Sequence, residues 1–469
     1  MTDRQPNIVL ILTDQQPYRS MGCTGSAMAR TPHLDALARR GWSFDRHFVT
    51  NPVCMPSRAS IISGLYINRH GVWDNGVRMG LDLPNLPSLL RRSGYQTAHF
   101  GKLHLEPILN RAGRSTNYHF DICEVAEGDQ QLTHDADAHF GWLRQRHPDV
   151  FLRYLTEMYA KGHDRGYTSE LPEDLHLSTF LADRSLDFLD HRRDGRPFYL
   201  SVGFFDPHHA FNPCEPWASR FAQAEIEDPP FDPGSLATRP PHYASRYASL
   251  MRHHTRVPEL MAGTIRAFHA MMAHVDACIG RILAALDRLD DQRETWVIFS
   301  SDHGDFLGTH GFLHKGPFLL DQLLHVPLLI APLRAGMEGQ RSQALTSAVD
   351  LLPTCLALAG APSHPCDGQP LLERDGQSAG AGRDAVLAEW EGTQAGPEAR
   401  QRCLRTATHK LIVSTDPGIG ELYDLVEDPH EFRNRWDDPD HAMIKADLAR
   451  RLDSCYPWIR PGVPKECGW

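Results

Sequence analysis

Four short apolar runs, Asn7 to Thr13, Tyr95 to Phe100, Pro197 to Phe204 and Thr295 to Ser300, are spread along the chain with helical patterns between them. Short runs of this kind alternating with amphipathic helical patterns predict an α/β sheet with largely parallel strands wrapped by helices. The intervening text agrees. Thr31 to Gly41 carries an N-cap, a proline at the first helical position and a terminal glycine. Ile265, Phe268, Met272, Val275, Ile279, Ile282, Leu286 and Leu289 trace the buried stripe of a long helix. The predicted fold class is therefore α/β, with a mostly parallel central sheet flanked by helices.

Polar motifs sit immediately beyond each of these runs. Asp14-Gln15 follows the first, Lys102 and His104 the second, Asp206-Pro207-His208-His209 the third and Asp302-His303-Gly304-Asp305 the fourth. Parallel strands bring all four to one edge, and the carboxyl edge of an open α/β sheet is where ligands bind. One such motif alone reads as a helix cap, a surface lysine or a structural histidine; their convergence carries the weight.

At 469 residues the chain has room for about two or three domains, although large α/β enzymes often keep one dominant core. Glu373 to Arg383 is rich in glycine and charge, and Ala385 to Trp390, Leu411 to Val413 and Glu421 to Leu425 look like short strands beyond it. The expected division is a catalytic domain over residues 1–375 and a smaller antiparallel sheet and helix unit over 376–469. Leu105 to Pro172 and Asn212 to Pro258 are rich in His, Asp, Arg and Pro with weak periodicity, so they are expected to be insertions or loops over the sheet and to carry substrate selectivity.

The net charge of -11, with no block of Lys and Arg, argues against nucleic acid or an anionic membrane as partner. An anionic substrate would have to be held by a local positive site. No apolar run approaches the ~18 residues that span a bilayer, and Met1 to Pro6 leads into a strand without a signal-peptide core, so the chain as given reads as cytoplasmic. Ten cysteines without a C-x-x-C pair indicate neither a zinc cluster nor a disulfide framework.

The run Cys54-Met55-Pro56-Ser57-Arg58-Ala59-Ser60-Ile61-Ile62-Ser63-Gly64 is the most informative for function. An arbitrary cysteine is a small buried hydrophobe. Here Pro56 can start a helix that Gly64 ends, which places Cys54 just ahead of a helix N-terminus, where backbone N–H groups and the dipole favour an anion. Arg58, one turn on, has a planar fork suited to sulfate or phosphate oxygens.

This run resembles the modification motif of the formylglycine-dependent sulfatases, in the alkaline-phosphatase-like superfamily that also holds phosphonate monoester hydrolases. The resemblance extends along nearly the whole chain, including Asp367-Gly368-Gln369-Pro370-Leu371 and Glu421 to Leu425 with Asp428, Pro429 and Glu431. It implies that a maturase converts Cys54 to formylglycine, whose hydrate attacks sulfur, and that Asp14, Gln15, Asp302 and His303 hold one divalent metal. Ca²⁺ is the first expectation; Gln15 in place of the second aspartate of many members, with nitrogen from His303, makes Mn²⁺ or Mg²⁺ alternatives. Arg58, Lys102 and Lys315 are expected to hold the sulfuryl oxygens, His208 to protonate the leaving oxygen and His104 to deprotonate the remaining hydroxyl. His209 could take the place of His208, and Asn75 is a candidate for a substrate hydrogen bond. Departures from the family pattern are Leu65, where many members have Arg, and Ala210, where Pro is common.

The implied substrate is a small-molecule or carbohydrate sulfate ester. A phosphonate monoester or phosphodiester hydrolase of the same superfamily is the nearest alternative, and a non-catalytic binder of sulfated ligands is the alternative from another class. Trp73, His134, His139, Tyr167 and Trp217 are candidates for lining a pocket for the alcohol, and a homo-oligomer is left open.

Overall fold

The structure is a computed structural model, and it describes residues 4–107, 116–128, 137–161, 166–192, 195–253, 257–392, 399–416, 418–458 and 462–466. Ten strands precede the C-terminal unit: β1 (Asn7–Thr13), β2 (Trp42–Phe44), β3 (His47–Phe48), β4 (Gln96–Gly101), β5 (Ile122–Val125), β6 (Phe198–Gly203), β7 (Thr295–Ser301), β8 (Leu328–Pro332), β9 (Gln340–Ser342) and β10 (Thr346–Ser347). Eight of them form one sheet in the order β5-β4-β6-β1-β7-β8-β2-β9, while β3 and β10 pair separately. The pairs from β5 through β7 are parallel, and β8 is antiparallel to both of its neighbours.

The alternation of side chains along β1 builds two cores, one on each face. Ile8, Leu10 and Leu12 pack with the helices Cys54–Ser63, Leu86–Arg92 and Leu351–Ala359. Val9 and Ile11 point the other way, onto Pro32–Ala38, Leu177–His191 and the 32-residue helix Val257–Arg288. The stripe read from the sequence, Ile265 to Leu286, is the buried side of that long helix.

Two glycines set the backbone beneath the polar edge. A Cβ on Gly101, where φ is 105°, would collide with the carbonyl of Gly203, and a Cβ on Gly203 would collide with the backbone of Lys102. β4 and β6 therefore approach closely at their carboxyl ends, and Lys102 N–H donates to Gly203 O at 2.8 Å.

A second, antiparallel sheet follows: β11 (Ala385–Gly392), β12 (Ala399–Thr406), β13 (His409–Ser414) and β14 (Gly420–Asp424), paired in chain order. Leu448 and Leu452 of the helix Ala442–Cys455 cover it, in a core with Leu404, Leu411 and Leu422 that also takes Tyr66 and Val349 from the larger part.

Local expectations shift in three places. Thr31 caps its helix through its carbonyl, which accepts the Asp35 N–H at 2.9 Å, and not through its side chain; its hydroxyl donates to the Asp35 carboxylate at 3.2 Å and accepts from Gly22 N–H at 3.0 Å. Cys54 lies inside its helix rather than ahead of it, with Val53 as the N-cap and Pro56 at the third position, because no N–H in the first turn has a helical partner for proline to remove. The stretches expected to be loops contain the helices Ala138–Arg146, Pro148–Lys161, Trp217–Phe221 and Pro241–His253. Ala138–Arg146 and Pro148–Lys161 share a small local core, and Pro148–Lys161 buries only Glu157 and Met158, whereas Pro241–His253 reaches the main core through Tyr243. Among the described residues no helix is long and apolar enough to cross a membrane.

Candidate active site

β4, β6, β1 and β7 are adjacent and parallel, so the segments after them meet along one edge. The helix Cys54–Ser63 aims its first turn at the same place. Every residue of that helix is buried, and Gly64 ends it at a φ of 68°. Cys54 Sγ lies 2.9 Å from Lys315 Nζ, 3.2 Å from His303 Nε2, 3.8 Å from Lys102 Nζ and 3.9 Å from Asp14 Oδ1. His104 hydrogen-bonds to the sulfur as well. Burial by itself would raise this thiol; Lys102, Lys315, His303 and His104 overcome it and hold it well below the ordinary value.

The carboxylates around the sulfur are paired with cations. Asp14 is fully buried and ion-paired to Lys102, and it stays below the usual carboxylate range because Lys102, His208 and Lys315 outweigh burial and the neighbouring sulfur. Asp302 receives Arg58 Nε at 2.6 Å and the backbone N–H of Gln15 at 3.1 Å. Arg58 also donates from Nη1 to Lys102 O at 2.7 Å. The expectation that its fork meets substrate oxygens is thus corrected in part: two of its nitrogens hold protein groups, and Nη2 alone has no hydrogen-bond partner among the described residues.

Gln15 takes a left-handed backbone, φ 68°, and its amide donates to Asp305 Oδ2 at 2.6 Å. Its Oε1 is buried with no hydrogen-bond partner among the described residues. Ligand atoms of Asp14, Cys54, Asp302 and His303 lie within 4.8 Å of one another. Two carboxylates and an imidazole nitrogen around one point are a donor set that fits a divalent cation, and Gln15, read as the fourth ligand, adjoins it through its backbone N–H on Asp302.

The two adjacent histidines separate in the structure. His208 Nε2 is 3.2 Å from Lys315 Nζ, which touches the sulfur, while His209 Nδ1 is 3.1 Å from Gln15 Nε2. Burial and the neighbouring His208, His314 and Lys315 keep His209 neutral, well below its ordinary value. His104, at a φ of 49°, is fixed by its backbone N–H donating to Glu127 Oε1 at 2.8 Å; burial and Lys102 lower its ring from the ordinary value.

Asn75 is placed differently from its expected role. Its Oδ1 accepts from the backbone N–H of Met55 at 3.1 Å, so it ties down the first turn of the Cys54 helix. Of the pocket candidates, His139 is in a core, its Nε2 donating to Leu175 O at 2.9 Å beside Phe180. Trp73 Nε1 donates to Val463 O and Trp217 Nε1 to Glu173. The Tyr167 hydroxyl is 3.4 Å from Asn212 Nδ2, and His134 lies outside the described residues. Glu127, which orients His104, gave no signal in the sequence; Asp305 was visible only as the last residue of its motif.

The sheet, the edge and the metal-type donor set make the fold alkaline-phosphatase-like. Residues 6–361 match the sulfatase family profile, and residues 308–456 match that of the N-sulphoglucosamine sulphohydrolase C-terminal region. The chain belongs to the sulfatase family, which are sulfuric ester hydrolases. It is 29% identical over 463 residues to the uncharacterized sulfatase YidJ of Escherichia coli, covering 95% of this chain and 86% of that one. An N-acetylglucosamine-6-O-sulfatase of Bacteroides thetaiotaomicron is 26% identical over 99% of this chain and 88% of its own length. Among solved structures, the phosphonate monoester hydrolase of Agrobacterium radiobacter superposes with a TM-score of 0.75 at 25% identity, over 96% of this chain and 95% of that one.

Proposed function

We propose that the chain hydrolyses sulfate monoesters with residue 54 as the nucleophile, after conversion of Cys54 to formylglycine by a maturase, and with one divalent metal held by Asp14, Gln15, Asp302 and His303. The observation that carries this reading is the convergence of Lys102, Lys315, His104 and His303 on one buried atom of residue 54. As its hydrate, formylglycine would supply two hydroxyls on one carbon, one to attack and one to release sulfate without water attacking sulfur. A bound divalent ion would supply positive charge for the nucleophile and the transferred group; Ca²⁺ suits the carboxylates and Mn²⁺ or Mg²⁺ the same shell.

The chain's own side chains account for the remaining requirements. Lys102 and Lys315 stand where charge spreads over the tetrahedral centre, and Arg58 keeps Asp302 and the Lys102 carbonyl in place. His208, next to Lys315, is on hand to give a proton to the leaving oxygen, and His104 to take one from residue 54. Carbohydrate sulfates are the first substrates to test, given the N-acetylglucosamine-6-O-sulfatase relative.

A second reading rests on a specific observation. Gln15 and His303 are neutral donors, and the likeness to a phosphonate monoester hydrolase covers nearly the whole chain, so phosphonate monoesters and phosphodiesters, which share the single negative charge of a sulfate monoester, are the alternative substrates. Specificity constants for sulfate, phosphonate and phosphodiester substrates sharing one leaving group decide. A preference for sulfate is expected, and a consistent preference for phosphorus esters reverses the assignment. Peptide mass spectrometry of active protein should find formylglycine at 54, and the Asp14→Ala, Asp302→Ala double variant should lose its metal.

A further inference from the structure

Behind the loop that carries His208 and His209 lies a second convergence of ligand-type side chains. His176, Cys214 and His274 are 5%, 0% and 2% exposed, and one ligand atom of each lies within 4.8 Å of the others. They come from three separate pieces of chain: the N-cap of the helix Leu177–His191, the loop after β6, and the middle of the helix Val257–Arg288. No spacing rule joins residues so far apart, which is why the cysteine pattern gave no sign of a site.

The details suit a soft or borderline divalent cation. Cys214 Sγ and His274 Nδ1 are 3.9 Å apart. A zinc ion bound tetrahedrally, with Zn–S near 2.3 Å and Zn–N near 2.05 Å, holds sulfur and nitrogen about 3.6 Å apart. His274 Nε2 is hydrogen-bonded with Thr179 Oγ1 at 3.0 Å, an outer-shell partner that orients the ring with Nδ1 toward the cysteine. His176 Nδ1 accepts the Ser178 N–H at 3.3 Å and lies 3.8 Å from the Asp206 carboxylate, which Ser178 Oγ holds at 2.6 Å, so the ring is fixed in place beside Cys214 and His274. Trp217 stacks on the His274 ring at 5.4 Å and covers the group.

We infer that His176, Cys214 and His274 form a second metal site, separate from the residue 54 centre, that takes Zn²⁺ or a cation of the same class and anchors the loop bearing His208 and His209 to two helices. The inference does not depend on which ester is hydrolysed.

The test uses the full chain with Cys54→Ala and Cys278→Ala, which remove the thiol of the residue 54 centre and the buried thiol one helical turn from His274; the protein is stripped by chelator and titrated with Co²⁺. A thiolate-to-cobalt charge-transfer band in the near ultraviolet is expected. It should vanish on adding Cys214→Ser and persist on adding Asp302→Ala, which empties the other site. Elemental analysis should find one equivalent of zinc that follows Cys214 and not Asp302. No band in the Cys54→Ala, Cys278→Ala protein, or a band that survives Cys214→Ser, overturns the inference. Should Cys214→Ser not fold, His274→Gln keeps the thiol and is expected to weaken cobalt binding at least tenfold; unchanged affinity overturns the inference equally.

Discussion

Two clusters of buried charge can be compared directly. One surrounds residue 54 at the sheet edge; the other joins the large and small sheets, where Lys410, fully buried on β13, is ion-paired to Asp321 and to Glu431, the latter at 2.5 Å, and donates to Leu319 O at 3.0 Å. Arg405 reaches Asp321 Oδ2 at 3.1 Å and stacks over Phe48, and Glu431 Oε2 accepts the Asp321 N–H at 2.7 Å. That second group is two cations against two carboxylates, each turned toward the others. Around residue 54 two lysines and two histidines instead face a single atom, and Gln15 Oε1 is left without a hydrogen-bond partner among the described residues. Burial of charge does not separate function from structure. What separates them is whether the charges satisfy one another or a point none of them occupies.

The comparison breaks first at its centre. Cys54→Ala should lower kcat/KM for a sulfate monoester by about 10⁴-fold or more, since it removes the nucleophile and leaves only the surrounding charges. Steady-state kinetics beside a thermal melt checks this, and a variant keeping a tenth of wild-type activity would move the nucleophile elsewhere.

Removing the two proton carriers sharpens it. His208→Ala should cost about 10²- to 10⁴-fold with alkyl leaving groups and far less with activated aryl ones, because only poor leaving groups need the proton. His104→Ala should give a burst of released alcohol followed by slow turnover. Equal losses for all leaving groups in both variants would mean that neither has the role given to it.

Most of this layout was legible in the chain because parallel strands buried on both faces write themselves as short apolar runs, and the chemistry follows each run directly. The Cys54 helix was legible from its own proline and glycine. What escaped was set by distance along the chain. Glu127 meets His104 from an unrelated segment, Asp321 meets Lys410 only after the small sheet folds, and the turn of Arg58 toward Asp302 depends on the packing of a helix against a strand end. Among the helices over the sheet, Pro148–Lys161 also escaped; it buries only Glu157 and Met158.

The balanced cluster should respond in stability and not in chemistry. Lys410→Met leaves Asp321 and Glu431 without their buried cation, a loss of about 3–5 kcal/mol, with kcat/KM per folded molecule within twofold of wild type. The sign with pH is defined. Burial raises the Glu431 carboxyl from 4.5 to about 7, so the folded state binds its proton more tightly than the unfolded chain, and this contribution to stability is present below pH 4.5 and lost as pH rises through about 7. The Lys410→Met deficit should accordingly be larger at pH 8 than at pH 5. Denaturant titrations at the two pH values measure it, and a deficit independent of pH would mean that Lys410 does not balance Glu431.

The smallest effect tests the border between the two kinds of residue. Asn75 is a candidate for a substrate hydrogen bond by sequence, yet its Oδ1 accepts the Met55 N–H at 3.1 Å, one of the N–H groups that the first turn of a helix leaves without a partner. A side chain in that position acts as a cap, and its removal costs about 1 kcal/mol. Asn75→Ala should therefore lower the melting temperature slightly. The Cys54 helix is buried along its whole length, so packing holds it in register after the cap is lost, and KM should stay within about twofold, less than the 1.4 kcal/mol that a tenfold change represents. A tenfold rise in KM with an unchanged melting temperature would reverse the assignment and return Asn75 to the substrate.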